Sequence, residues 1–225
     1  IHVVLFTFLA VIAIAVIRLR DLFAAVMLMG IFSLLSASLF TVMDAVDVAF
    51  TEAAVGAGIS TILMLATLSL TTSKESALYQ RPQPMALIAV VLTGAALVYA
   101  TFDMPRYGDP AAPIHHHVAD HYIEDTDTEI GVPNMVTAIL ASYRGYDTWG
   151  ETTVIFTAAI GVLLLLGGAH LREVDSRHLR DDMVLRVSLK VVIAFLMLFA
   201  LYVQFHGDYG PGGGFQAGVI FAAAI

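Results

Sequence analysis

The chain has 225 residues, 59% of them hydrophobic and only 13% charged, with a formal net charge of −8 and a mean hydropathy of +0.84. Soluble domains average roughly 45–50% apolar and about 25% charged residues, so this is the composition of a polytopic membrane protein. There is no cysteine, which excludes disulfides, thiolate metal sites and cysteine-ligated iron–sulfur clusters. The sequence has no initiator Met and stops inside an apolar run, Gly218 to Ile225, so it is expected to be part of a longer chain.

Apolar runs and polar breaks predict an all-α membrane fold of about seven transmembrane helices. The first span covers about His2 to Ile17 and ends at Arg18–Asp21. The second covers Leu22 to Met43, and a polar corner at Asp44–Asp47 leads into the third. That third run, Val46 to Leu70, has 25 residues, enough to cross about 30 Å of hydrocarbon at about 1.5 Å per residue. A proline-bearing loop from Gln80 to Pro84 precedes a fourth span, Met85 to Phe102; proline does not continue a helix interior.

The long polar segment 103–133 follows, with Pro105, Pro110 and Pro113, His115, His116, His117 and His121, and five acids between Asp120 and Glu129. It reads as a solvated acidic loop. Asn134 to Tyr143 predicts a short amphipathic helix at the interface, and Trp149 with Tyr143 and Tyr146 suits a headgroup belt. The fifth span is about Thr152 to Gly168 and the sixth Val187 to Phe205, separated by a basic loop, Arg172 to Arg186. A sharp break at His206–Gly214 opens a seventh.

Charge sets the expected orientation. The loops after spans one, three and five carry Arg18, Arg20, Lys74, Arg81, Arg172, Arg177, Arg180 and Arg186, whereas the other side has only Arg106 and Arg144. Positive residues collect on the cytoplasmic face. The N-terminus and segment 103–133 are therefore expected outside.

The chemistry-bearing residues lie mostly on the third span. Glu52 is expected about 9 Å below the outer surface, where a carboxylate costs at least a few kcal/mol. An ordinary anchor would not carry it, but a helix handling protons or cations would. At i, i+4, i+8 spacing Glu52, Gly56 and Ser60 share a face. Asp44 and Asp47 read either as a cation-attracting mouth or as acids at a helix start. Gly56 and Gly58 permit a π-bulge or kink, or close helix packing. Lys190 lies one turn into the sixth span, as a relay base or a snorkelling cation. His206 stands at the membrane edge before Gly210–Phe215, where Gly212, Gly213 and Gly214 allow a tight reversal; no phosphate-loop Lys follows. The His115–His117 cluster has no recognised zinc spacing, and no metal or cofactor is expected.

Three stretches resemble a known family. Asp44 to Gly58, with its Thr51–Glu52–Ala53 core, resembles the third helix of the MbhD-like component of membrane-bound hydrogenases and Mrp/Mnh multisubunit Na+/H+ antiporters. Asn134 to Leu140 with Arg144 to Glu151 resembles the accompanying MbhE-like unit. His206 to Gly218 resembles the opening of the MnhB domain, the B-type component of those antiporters. The resemblance implies an MbhD-like four-span unit over 1–102, an MbhE-like part over 103–170 and the start of an MnhB-like domain over 171–225. It implies a place in the cell membrane of a prokaryote, in a complex related to respiratory complex I, where the first two units resemble the small J-type component. Partners would be large proton-pump-like and small hydrophobic subunits, the transported ions Na+ and H+, and nucleic acid is not expected. Glu52 matches the family acid and is marked as an ion-pathway residue. The rival readings are a place in the membrane arm of a hydrogenase or other redox-driven complex, and a structural spacer.

Overall fold

The computed structural model describes residues 1–75, 84–166 and 183–224. Those residues form nine helices in chain order: α1 (His2–Arg18), α2 (Leu22–Val42), α3 (Val46–Leu70), α4 (Pro84–Thr101), α5 (Ala119–Glu129), α6 (135–143), α7 (Gly145–Leu166), α8 (Met183–His206) and α9 (Gly214–Ala224). Five of them, α2, α3, α4, α7 and α8, are long and apolar enough to cross a membrane, and α1 and α9 are shorter apolar helices. The chain is an all-helical polytopic membrane protein.

Local chemistry accounts for the boundaries. Asp21 caps α2, its Oδ1 accepting the Ala24 N–H at 2.9 Å, which satisfies one of the free amides of the first turn. At the far end of α2 the backbone closes in a Schellman arrangement: Ala45 N–H donates to the Phe40 carbonyl at 2.9 Å and Asp44 N–H to that of Thr41 at 3.2 Å. Asp44 holds the left-handed conformation this needs, with φ of 59°. The acid so placed ends α2; α3 starts at Ala45 without a side-chain cap, and Asp47 sits within its first turn. Asp44→Val is expected to cost about 1–2 kcal/mol, because a β-branched residue resists that conformation. Asp44→Gly is expected to be tolerated, and the melting temperature of the purified protein in detergent checks both.

Two loops are zipped together at one end. Leu22 N–H donates to the Ser73 carbonyl at 2.8 Å and Glu75 N–H to that of Arg20 at 3.1 Å. This brings Arg18, Arg20 and Lys74 to a common end. His2, at the start of α1, meets Tyr107 edge-on with ring centroids 6.4 Å apart at the opposite end, which also holds the Asp44 corner and the 207–213 turn.

Helices α2 and α3, α3 and α9, and α8 and α9 pack in pairs through small side chains. The buried apolar residues include Ala37, Ala49, Ala200 and Ala217, and among the described residues no large side chain is fully enclosed. In lipid, helices associate through close backbone approach rather than through burial of large apolar groups. The α2–α3 crossing shows it: a Cβ on Gly30 would lie 2.8 Å from Thr61 Oγ1. Helix α4 and the later turns of α7, by contrast, present apolar side chains to the outside, as with Leu92 and Leu165, a surface suited to hydrocarbon.

Segment 103–133 is not simply a loop. Its acidic stretch forms α5, secured by His121 Nδ1 on Asp125 Oδ2 at 2.8 Å and by the Tyr143 hydroxyl donating to Glu129 Oε2 at 2.6 Å. That bond to a carboxylate raises the Tyr143 phenol above its ordinary range. Helix α7 begins at Gly145, seven residues before the apolar run suggests, so Trp149 and Glu151 lie on its first turns. The basic loop Arg172–Arg180 and Arg81 lie outside the described residues.

Candidate functional site

The site is built at the end of the molecule that carries the Asp44 corner. Asp47 is half-buried in the first turn of α3. Its Oδ1 faces the Gly212 N–H at 3.4 Å, a long contact that leaves most of its acceptor capacity free. Its main-chain carbonyl accepts the Thr51 hydroxyl at 3.0 Å, and Thr51 Oγ1 accepts from Gln216 Nε2 at 2.8 Å. A groove of about 470 Å³ opens here between α3, α6, α7 and the start of α9, with Asp47 and Glu151 as its two carboxylates and Thr51, Thr148 and Gln216 among its other polar walls.

The glycine-rich turn forms one side of the groove, and its backbone leaves no room for side chains. A Cβ on Gly212 would fall 2.6 Å from the Val203 carbonyl oxygen, and one on Gly207 would fall 2.9 Å from the Gly213 nitrogen. Gly213 has φ of +127° and donates its N–H to Val203 at 3.2 Å. Gly214 is less constrained, since its Cβ would meet only Gln204 Oε1 at 3.6 Å.

Asn134 locks this turn to α6. Its Nδ2 donates to the carbonyls of Gly207 at 3.1 Å and Gly210 at 2.9 Å, while its Oδ1 caps Val136 N–H at 3.0 Å. One side chain thus both starts α6 and holds the reversal more than seventy residues away. Gly212→Ala is expected to cost roughly 1–3 kcal/mol by overpacking against fixed backbone, seen as a lowered melting temperature.

Glu52 lies just beyond, at the last α-helical residue before a π-helical segment, Ala53–Ser60. Thr61 Oγ1 donates to the Gly56 carbonyl at 3.1 Å across that widened turn. Both readings of Gly56 hold: the helix widens there, and the residue packs closely. A Cβ on it would lie 2.8 Å from Ser33 Cβ on α2 and 2.7 Å from Glu52 Oε1. The Glu52 carboxylate therefore lies over Gly56, beside Ser33, at the α2–α3 crossing. Gly58 has no such neighbour; its Cβ would meet only the Ala53 carbonyl, at 3.4 Å.

The other expected site residues are elsewhere. His206 ends α8, its ring stacked on Tyr202 at 5.2 Å and its carbonyl accepting the N–H groups of Tyr209 and Gly210; it builds the turn and does not line the groove. Lys190 is exposed on α8, sixteen residues from His206 and so about 24 Å away along the helix. Among the described residues the ion pairs are His121 with Asp125 and Glu129, and Arg144 with Asp147, so Lys190 is not brought to an acid. His115 and His116 lie in an exposed 3₁₀ turn, and no group of metal-binding side chains forms among the described residues. Glu151 and Gln216 join the site without having stood out in the sequence. For Gln216 a signal was there, a lone amide in the otherwise apolar stretch Gly214–Ala224.

Three family models match consecutive stretches. MbhD, the D component of MBH, matches residues 7–73. MbhE, the E component of MBH, matches 80–173. MnhB, a "domain related to MnhB subunit of Na+/H+ antiporter", matches 184–225. The A-type component of the Na(+)/H(+) antiporter of Alkalihalophilus pseudofirmus is 30% identical over 142 residues, covering 63% of this chain and 17% of that protein. The putative antiporter component mnhB2 of Staphylococcus haemolyticus is 48% identical over 45 residues, 20% of this chain and 32% of that one. The chain thus spans less than a third of the length of either curated relative. A chain of the Mrp complex from a Dietzia species superposes with a TM-score of 0.75 at 24% identity, over 98% of this chain and 25% of that one. The chain therefore joins three stretches like the MbhD, MbhE and MnhB families, in that order, in a fold shared with part of an Mrp complex.

Proposed function

We propose that the chain is a membrane subunit of a multisubunit monovalent cation (Na+)/proton antiporter and supplies part of its ion path. The reading has the basic end, with Arg18, Arg20 and Lys74, in the cytoplasm, and the N-terminus, α5 and the groove outside. It counts α1 and α9 with the five long helices as seven spans. The division at 1–102, 103–170 and 171–225 follows the three resemblances, and an A-like stretch joined to a B-like one accounts for relatives of both names better than a B-type component alone. Large proton-pump-like and small hydrophobic subunits would complete the path.

The observation that carries the reading is the position of Glu52. A half-buried carboxylate stands at the start of a π-helical segment on a membrane-length helix, one residue after Thr51 of the acidic groove. Asp47, with Asp44 nearby, would draw cations into the groove, and Glu52 would take a proton or cation onward. An acid inside a span is costly unless it handles ions or finds a partner. Lys190 and His206, apart from the groove, have supporting roles at most.

Everted membrane vesicles test this. Vesicles from cells lacking the chain are expected to lose Na+-induced proton movement, and the wild-type chain to restore it. Unchanged exchange without the chain would contradict the reading.

A further inference from the structure

Helix α9 is apolar from Gly214 to Ala224 apart from one side chain, Gln216. That amide is buried, only 7% exposed. A primary amide taken from water without hydrogen bonds costs at least about 1–3 kcal/mol, so its partner decides why it is tolerated. The partner is Thr51, at 2.8 Å, on a helix 165 positions earlier in the sequence.

The hydrogen-bond arithmetic fixes the direction. A hydroxyl has one proton and two lone pairs. Thr51 gives its proton to the Asp47 carbonyl at 3.0 Å. Toward Gln216 it therefore only accepts, which turns the amide nitrogen to Thr51. Gly212 N–H, from the turn that leads into α9, approaches the Asp47 carboxylate itself. The first turn of α3 is thus held twice by the same short stretch, once through the Asp47 main chain and once at its carboxylate.

We propose that Gln216 is a positioning residue for Asp47: through Thr51 it ties the first turn of α3 to the Gly212–Gln216 stretch and so sets the Asp47 carboxylate at the wall of the groove. The inference rests on the reading of Asp47 as part of the ion path. It also makes that site a joint product of the first and last of the three stretches, since neither holds the carboxylate alone.

The test uses the assembled complex in everted vesicles, with Na+ as the probe and proton movement as the readout. Gln216→Leu is expected to raise the Na+ concentration for half-maximal exchange about five- to tenfold, the effect of one lost hydrogen bond, while the maximal rate stays within about twofold. Thr51→Val is expected to do the same, and the double variant no more than either alone. Thr51→Ser, which keeps the hydroxyl, is expected to recover most of the affinity lost in Thr51→Val. A merely structural contact would lower the amount of assembled complex or the maximal rate instead, and that outcome overturns the proposal. So does additivity of the two single changes. If Gln216→Leu fails to assemble, the Thr51 pair decides. Asp47→Asn separates the two levels. If it leaves Na+ dependence unchanged, the role of Asp47 falls and this inference with it. If Asp47→Asn weakens Na+ activation but neither Gln216→Leu nor Thr51→Val does, only the positioning role falls.

Discussion

Glu52→Gln is expected to reduce cation/proton exchange at least about tenfold while the complex assembles in normal amount. Glutamine has nearly the same shape, so the contact beside Gly56 and Ser33 is kept. The titratable group is lost. Removing an ionisable acid from a span relieves a cost of at least a few kcal/mol on insertion scales, so the variant has no reason to be less stable. A packing contact would behave in the opposite way, with assembly impaired and the exchange per complex unchanged. Glu52→Asp keeps the charge but draws it back by one methylene, and an intermediate rate is expected. Proton movement per assembled complex, set against complex yield from the same membranes, separates these outcomes. Full exchange in Glu52→Gln would remove this residue from the ion path.

Gly56→Ala is expected to impair both stability and exchange. The new methyl would fall 2.7 Å from Glu52 Oε1 and 2.8 Å from Ser33 Cβ. The carboxylate is the end of a flexible side chain and can swing aside. Ser33 Cβ is fixed to α2 and cannot, so α2 and α3 must move apart. Overpacking of this kind costs about 1–3 kcal/mol, and the carboxylate that moved no longer has its position. Ser33→Gly removes the opposing atom and is expected to recover most of the melting temperature, and part of the rate, in the double variant. Melting of the purified complex and vesicle exchange measure the two effects. Wild-type values for Gly56→Ala in both would show that α2 and α3 do not cross on these residues.

Much of the fold is legible in the residues because lipid imposes a simple rule. A run such as Val46–Leu70 must satisfy its backbone internally and so becomes a helix, and the structure gives those limits. Helix α5 is not legible. Its stretch has few apolar positions and many like charges, and the Tyr143 hydroxyl that bonds Glu129 comes from α6. The start of α7 is hidden for a related reason: Asp147, Thr148 and Glu151 break the apolar run but not the helix. Asp44 is a clearer lesson. Its charge invites a functional reading, yet its φ of 59° gives it a backbone task.

The candidate site is half legible. Glu52 stands out in sequence because an acid in a long apolar run is rare. The groove is invisible there, since Asp47, Glu151 and Gln216 come from three distant stretches. What joins them is the turn at Gly207–Gly213, gripped by Asn134 and seated against α3.

If the chain belongs to a secondary antiporter, its partners reveal it. A tagged chain would be extracted from its own membranes in mild detergent, and the proteins that accompany it identified by mass spectrometry. Large antiporter-like subunits with small hydrophobic ones are expected, and no water-soluble redox proteins. Stoichiometric iron–sulfur or nickel–iron proteins would contradict that and assign the chain to the membrane arm of a redox-driven complex.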